Sequence, residues 1–124
     1  MKKIKSVEEA VSLFMENTLK RAQANDEGKF KTGNKYSDKL MKCIVFLYEK
    51  DALEQLSPFL ESANPALRLS AAFALLPIKT KECEKCLDSI ANGNIKDHSF
   101  EAYYTLEEWK KGNLKFPYQE DWGK

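Results

Sequence analysis

The run N-P-A-L-R-L-S-A-A-F-A-L-L-P-I, residues 64 to 78, decides how the rest of this chain is read. Asn64 suits the cap of a helix, and Pro65 suits its first turn, where the missing N–H costs nothing. Leu67, Ala71, Ala74 and Leu75 form one apolar stripe, and Leu69, Ala72, Phe73 and Leu76 form a second on the far side. Only Arg68 and Ser70 interrupt them. A helix apolar all round is a buried one, and its alanines let neighbouring backbones approach closely. Pro77 disfavours helical geometry at Leu76 and stops the run. These residues predict a central helix packed on both sides.

The 124 residues suit one domain, read over 1–112, with an aromatic-rich tail at 113–124. Charged residues make up 31% of the chain, and 20 basic against 19 acidic nearly cancel, so no global field favours nucleic acid or an anionic membrane. Any partner is recognised locally. Three cysteines, Cys43, Cys83 and Cys86, are too few for a disulfide framework, and M-K-K-I-K lacks the apolar run of a signal peptide. A cytoplasmic location and no membrane span are expected.

Working outward, Ser6-Val7-Glu8-Glu9 has capping-box spacing and opens a helix at about Val7. Its inward stripe reads Val7, Ala10, Val11, Phe14, Thr18, Leu19 and Ala22, and it fades between Asn25 and Gly28. The link from Gly28 to Gly33 reads as a loop. A second amphipathic helix follows over residues 34–50, carrying Tyr36, Leu40, Cys43, Ile44, Leu47 and Tyr48. Asp51-Ala52-Leu53-Glu54 repeats the capping-box spacing and opens a shorter segment that Pro58 kinks or shortens. Beyond the central helix, Thr80 caps another, with Cys83, Cys86, Leu87 and Ile90 on one side and a close at Asn92-Gly93-Asn94. Asp97 or Ser99 opens the last, where Ala102, Leu106 and Trp109 form a stripe, Phe100, Tyr103 and Tyr104 flank it, and Gly112 ends the run. No segment reads as a strand.

Ala71 and Leu75 recur as Ala102 and Leu106, and Leu69 recurs as Phe100, at an offset of about thirty residues, with a weaker copy before them. Helical hairpins that cannot bury their apolar faces alone stack on one another. The expected fold is all-α, a short α-α superhelix of five to six helices.

The 64–76 string resembles the first helix of a HEAT-like repeat, with its Asn-Pro start, Arg68 one turn in, the Ala71-Ala72 pair and a closing leucine. With L-E-E-W-K-K-G at Leu106 to Gly112 after it, the chain from Val7 to Gly112 resembles a family of small bacterial HEAT-like proteins, the domain-of-unknown-function family numbered two thousand and nineteen. The resemblance implies an α-α superhelix, no established activity and no catalytic residues. By analogy of fold and size it points to an immunity protein, which binds and silences a toxin made by the same cell. Asn64, Pro65, Arg68, Ala71, Leu75 and Gly112 are the structural positions of this pattern.

Several motifs have two readings. Cys83-Glu84-Lys85-Cys86 has zinc or redox spacing, but tetrahedral zinc needs four ligands, and a redox pair belongs to a βαβ context. Small core cysteines are the first reading, and no cofactor or metal is expected. His98 reads as a surface or capping residue. The chain carries no G-x-S-x-G, G-x-x-x-x-G-K-[ST] or H-E-x-x-H, so no enzyme is expected. Arg68, disfavoured by the helix dipole, reads as a bridge to a neighbouring unit, with Glu61 and Asp51 the nearest acids. Lys35, Lys39 and Lys42 share a helical face, with Lys29, Lys31 and the aromatics Phe30 and Tyr36 nearby. A solvated face comes first there, and a small nucleic-acid-binding module is the alternative. Tyr103, Tyr104, Trp109, Phe116, Tyr118 and Trp122 crowd the final quarter, as residues that cap the last helix or meet a partner. The function expected is non-enzymatic binding of one protein, as an immunity protein or a generic scaffold, by a monomer.

Overall fold

The computed structural model describes residues 3–120 and Trp122; Met1, Lys2, Asp121, Gly123 and Lys124 lie outside the described residues, and with them parts of the basic start and of the 113–124 tail. Helix α1 runs Val7–Asp26, α2 Phe30–Glu49, a 3-10 segment Leu53–Glu61, α3 Pro65–Leu75, α4 Thr80–Ala91 and α5 His98–Lys110. Among the described residues there is no strand, and the fold is all-α. No helix among them is long and apolar enough to cross a membrane. The chain divides into two compact units, one of the described residues in Met1–Gln55 and Pro117–Lys124, the other Leu56–Phe116.

In the first unit α1 and α2 pack as a hairpin. The Ser6 hydroxyl accepts from Glu9 N at 3.1 Å, whereas the Glu9 carboxylate turns to Lys5 N at 3.0 Å rather than to Ser6, so the capping box is half made. The buried stripe of α1 is Ala10, Phe14, Asn17, Thr18 and Ala24, and Leu19, read as inward, is exposed. Asn17 enters the interior because its amide donates to Leu13 O at 2.8 Å, one turn back.

The link read from Gly28 to Gly33 is shorter than expected, for α2 already begins at Phe30. Gly28, with φ of 76°, makes the turn, and Lys29 N donates to Ala24 O at 2.8 Å. Gly33 is a buried residue of α2 on which the Asn25 side chain of α1 closes, and a Cβ there would run into Asn25 Oδ1. Helical glycine costs about 0.5–1 kcal/mol against alanine, and the end of the Asn25 side chain has to turn aside before alanine can recover it. Gly33→Ala is expected to bring no gain in urea-melt stability, whereas Gly33→Ala combined with Asn25→Ala gains about 0.5–1 kcal/mol over Asn25→Ala alone.

Asp51 does not cap the next segment. It sits at φ 55° as the left-handed residue that ends α2, its amide donating to Tyr48 O and that of Ala52 to Leu47 O at 2.7 Å. The segment it was read to open is a 3-10 helix with Pro58 inside it.

In the second unit Asn64 Oδ1 accepts from Ala66 N at 2.9 Å and Leu67 N at 3.3 Å, and Pro65 starts α3. Ala71, Ala72, Ala74, Leu75 and Leu76 are fully buried, and α3 packs against both α4 and α5, the central position read from its two apolar faces. Thr80 is the first residue of α4 and not its cap, since its hydroxyl donates to Leu76 O at 2.7 Å and ties α4 to the end of α3. Neither Asp97 nor Ser99 caps α5 by its side chain. Asp97 stands at φ 65°, and the Ser99 hydroxyl accepts from Ile95 N at 2.7 Å while donating to Ile90 O at 2.6 Å, fixing the α4–α5 turn. Gly112, at φ 76°, ends α5 as read.

Candidate functional site

On α5 the residues 98, 102 and 106 define one side of the helix, and Ala102 and Leu106 are buried in the unit. The i, i+3, i+4 set Phe100, Tyr103 and Tyr104 therefore projects outward, at 67%, 53% and 52% exposure. The three rings form one cluster. Phe100 meets Tyr104 with ring centroids 4.8 Å apart and a tilted angle of 59°, and Tyr103 meets Tyr104 edge-on at 6.2 Å. The geometries are those favoured by the ring quadrupole, so the rings hold one another in place on a helix rather than on a loop. Glu101 lies between them in sequence and Thr105 directly after them, and the Thr105 hydroxyl donates to Glu101 O at 2.8 Å.

The other aromatic residues of the last quarter are placed differently. Trp109 is half-buried, and its indole Nε1 donates to Glu84 Oε2 on α4 at 2.9 Å. Its ring meets Phe116 edge-on at 6.2 Å, and Phe116, 3% exposed, stacks on Phe73 of α3 at 5.2 Å. Trp109 thus serves the interior of its unit, and Phe116 closes that interior. Tyr118 stacks on Tyr48 of α2 with centroids 4.1 Å apart and planes within 7°. Burial, with a smaller contribution from Tyr48, raises the Tyr118 phenol above its ordinary pKa. Trp122 is 43% exposed and borders an open groove of about 760 Å³ beside α2.

Of the lysines, Lys39 of α2 and Lys20 of α1 place their Nζ atoms 5.6 and 5.7 Å from the centroid of the Tyr36 ring. Lys39 is thereby partly engaged by its own hairpin, whereas Lys35 is exposed and Lys42 borders the groove.

Arg68 does not form the bridge to Glu61. Among the described residues no carboxylate pairs with it, and its Nε is buried without a hydrogen-bond partner. Its guanidinium instead lies close enough to Cys86 to oppose the upward shift that burial imposes on that thiol. The Cys86 Sγ lies 3.9 Å from both Leu60 O and Arg68 O. Cys43 and Cys83 are buried, and all three thiols are free. Among the described residues no group of three or more His, Cys, Asp or Glu side chains is placed to hold a metal. His98 accepts a role at the start of α5, its Nδ1 lying 2.9 Å from Lys96 O.

The sequence marks Tyr103 and Tyr104 as partner-facing candidates and sets Phe100 beside them on the flank of the stripe of Ala102, Leu106 and Trp109, without singling it out for binding. The stripe at 100, 103 and 104 was available from helical spacing alone, once Ala102 and Leu106 are set inward. Compared with family models, curated proteins and solved structures, the chain matches none of them.

Proposed function

We propose that this chain is a non-enzymatic protein-binding module of HEAT-like helical hairpins that grips one protein partner through the Phe100, Tyr103 and Tyr104 face of α5. The observation that carries the reading is the exposure of three contacting aromatic side chains on one helix face. Tyrosine brings a large, rigid contact area with a polar tip, and such residues dominate the centres of interfaces. The hydrogen-bonded α4–α5 turn at Ser99 holds that face in place before binding, which reduces the ordering cost. Small proteins of the HEAT-like type that this chain resembles make a toxin of the same cell the most concrete partner.

The test is affinity capture from the native cells with the tagged wild-type chain and with Phe100→Ala/Tyr103→Ala/Tyr104→Ala, all exposed positions whose loss leaves the core intact. One stoichiometric protein captured by the wild type, and bound at least 30-fold more weakly by the triple variant, supports the reading; about 2 kcal/mol at a central aromatic corresponds to that factor. Equal capture by both chains overturns the surface. The immunity role adds a phenotype: cells that keep the captured partner but lack this chain stop growing, and their normal growth removes that role.

A further inference from the structure

The aromatic face of α5 is continued by carboxylates. At the helical repeat Glu107 follows Tyr103 at i+4, Tyr104 at i+3 and Phe100 at i+7, and Glu108 follows Tyr104 at i+4. Both acids therefore stand one turn beyond the tyrosines, on the side of the helix turned away from Ala102 and Leu106. Among the described residues neither carboxylate has an ion-pair partner, and Lys111, exposed at i+4 from Glu107, makes none with it. Lys110 and Lys111 come only after the acids, at the end of the helix. The rings themselves are tilted or perpendicular to one another rather than stacked face to face, so ring faces stay open to solvent. An aromatic face carries the negative lobe of the ring quadrupole. Open ring faces followed at one turn by unpaired carboxylates are surroundings that favour a cation.

We infer that this face receives an arginine side chain of the protein partner, its guanidinium laid on the rings of Tyr103 and Tyr104 and its N–H groups donating to Glu107 and Glu108. The inference rests on the α5 face as the binding surface and adds the chemistry of what binds there. A planar guanidinium stacks on a ring and still offers forked donors to a carboxylate, whereas the ammonium of lysine is compact and strongly hydrated. An apolar side chain would cover the rings and strip water from two carboxylates without replacing it, and an acidic one would be repelled by them. Of the side chains a partner can present, arginine alone meets both the rings and the charge.

The probes are three capped tripeptides, glycine-X-glycine, in which X is arginine, lysine or citrulline, the last keeping the shape of arginine without its charge. Each is titrated at low salt into the full chain, and the ring resonances of Tyr103 and Tyr104 are followed by nuclear magnetic resonance. The arginine peptide is expected to shift both resonances saturably and to bind at least fivefold more tightly than the citrulline peptide. Glu107→Gln/Glu108→Gln is expected to erase that preference, with the circular dichroism spectrum as the control for folding. No shift, equal binding of arginine and citrulline, or an unchanged preference in the glutamine variant overturns the inference, and equal binding of the lysine peptide overturns the choice of arginine. On the captured partner, Glu107→Lys/Glu108→Lys is expected to bind at least tenfold more weakly than the wild type. Undiminished capture by this charge-reversed variant, with capture lost in the triple alanine variant, overturns the arginine and leaves the aromatic face standing; equal capture by all three chains overturns both.

Discussion

Leu75→Ala is expected to lower the free energy of unfolding by about 2–5 kcal/mol, a large part of what a domain of this size possesses. The side chain is fully buried on the helix that packs against both α4 and α5. Its truncation removes transfer energy and also leaves a cavity, because alanines at 71, 72 and 74 keep the surrounding backbones close and there is little side chain left to swing into the gap. The measurement is urea unfolding followed by far-ultraviolet circular dichroism, with the midpoint moving and the slope unchanged. Leu19→Ala is the matched control. Leu19 is 38% exposed on α1, and its truncation is expected to stay within about 0.5 kcal/mol of wild type. A Leu75 variant as stable as the Leu19 variant would deny α3 its central place.

What the sequence makes legible follows from how local the signal is. Asn64 and Pro65 act on amides within three residues, and both do as their chemistry dictates. The two apolar faces of α3 are equally local, and they announce burial on both sides. The misread positions are those where a side chain answers to something farther away. Asp51, Thr80 and Ser99 all carry cap chemistry, and each is used instead to finish the preceding helix or bind its carbonyls, as with Thr80 on Leu76 O and Ser99 on Ile90 O. Gly33 reads as loop because glycine usually is, yet it sits within α2, where the Asn25 side chain of another helix closes on it. No local pattern carries that information.

The same distinction separates the candidate surfaces. Exposure of Tyr103 and Tyr104 follows from their offset from Ala102 and Leu106 within one helix. The inward turn of Trp109 depends on Glu84, twenty-five residues earlier on α4, and on Phe116 after the helix has ended. An aromatic-rich ending is therefore three things at once: an exposed cluster on α5, a closure of the second unit through Phe116, and part of the lining of the α2 groove through Pro117 and Trp122. Composition alone cannot sort them, since the same ring serves a core or an interface according to what lies across from it.

The thiols give the protein an alkaline limit. Cys43 is 1% exposed and Cys83 is fully buried. Burial pushes the Cys43 thiol from 9.0 up to about 11, against the lowering effect of its backbone hydrogen bond. Burial, reinforced by Cys86 and Glu82 and opposed by Lys79, pushes Cys83 from 9.0 up to about 12. Below pH 9 folded and unfolded chains both hold these protons, so stability is at its full value. Between pH 9 and about 11 the unfolded thiols ionise while the folded ones do not. The unfolded state then binds fewer protons, and stability falls as pH rises, by about 1.4 kcal/mol per pH unit for each thiol. The Cys43 contribution levels off once its folded form titrates near 11, and that of Cys83 continues towards 12. Urea unfolding at pH 8, 9, 10 and 11 under reducing conditions, for the wild type and for Cys43→Ala/Cys83→Ala, isolates the effect, because tyrosine and lysine titration is common to both chains. The variant is less stable at pH 8 from the lost packing, yet its stability is expected to fall less steeply above pH 9, by about 2–3 kcal/mol per pH unit. Parallel curves would mean that both thiols ionise in place, with water or a cation reaching them inside the fold.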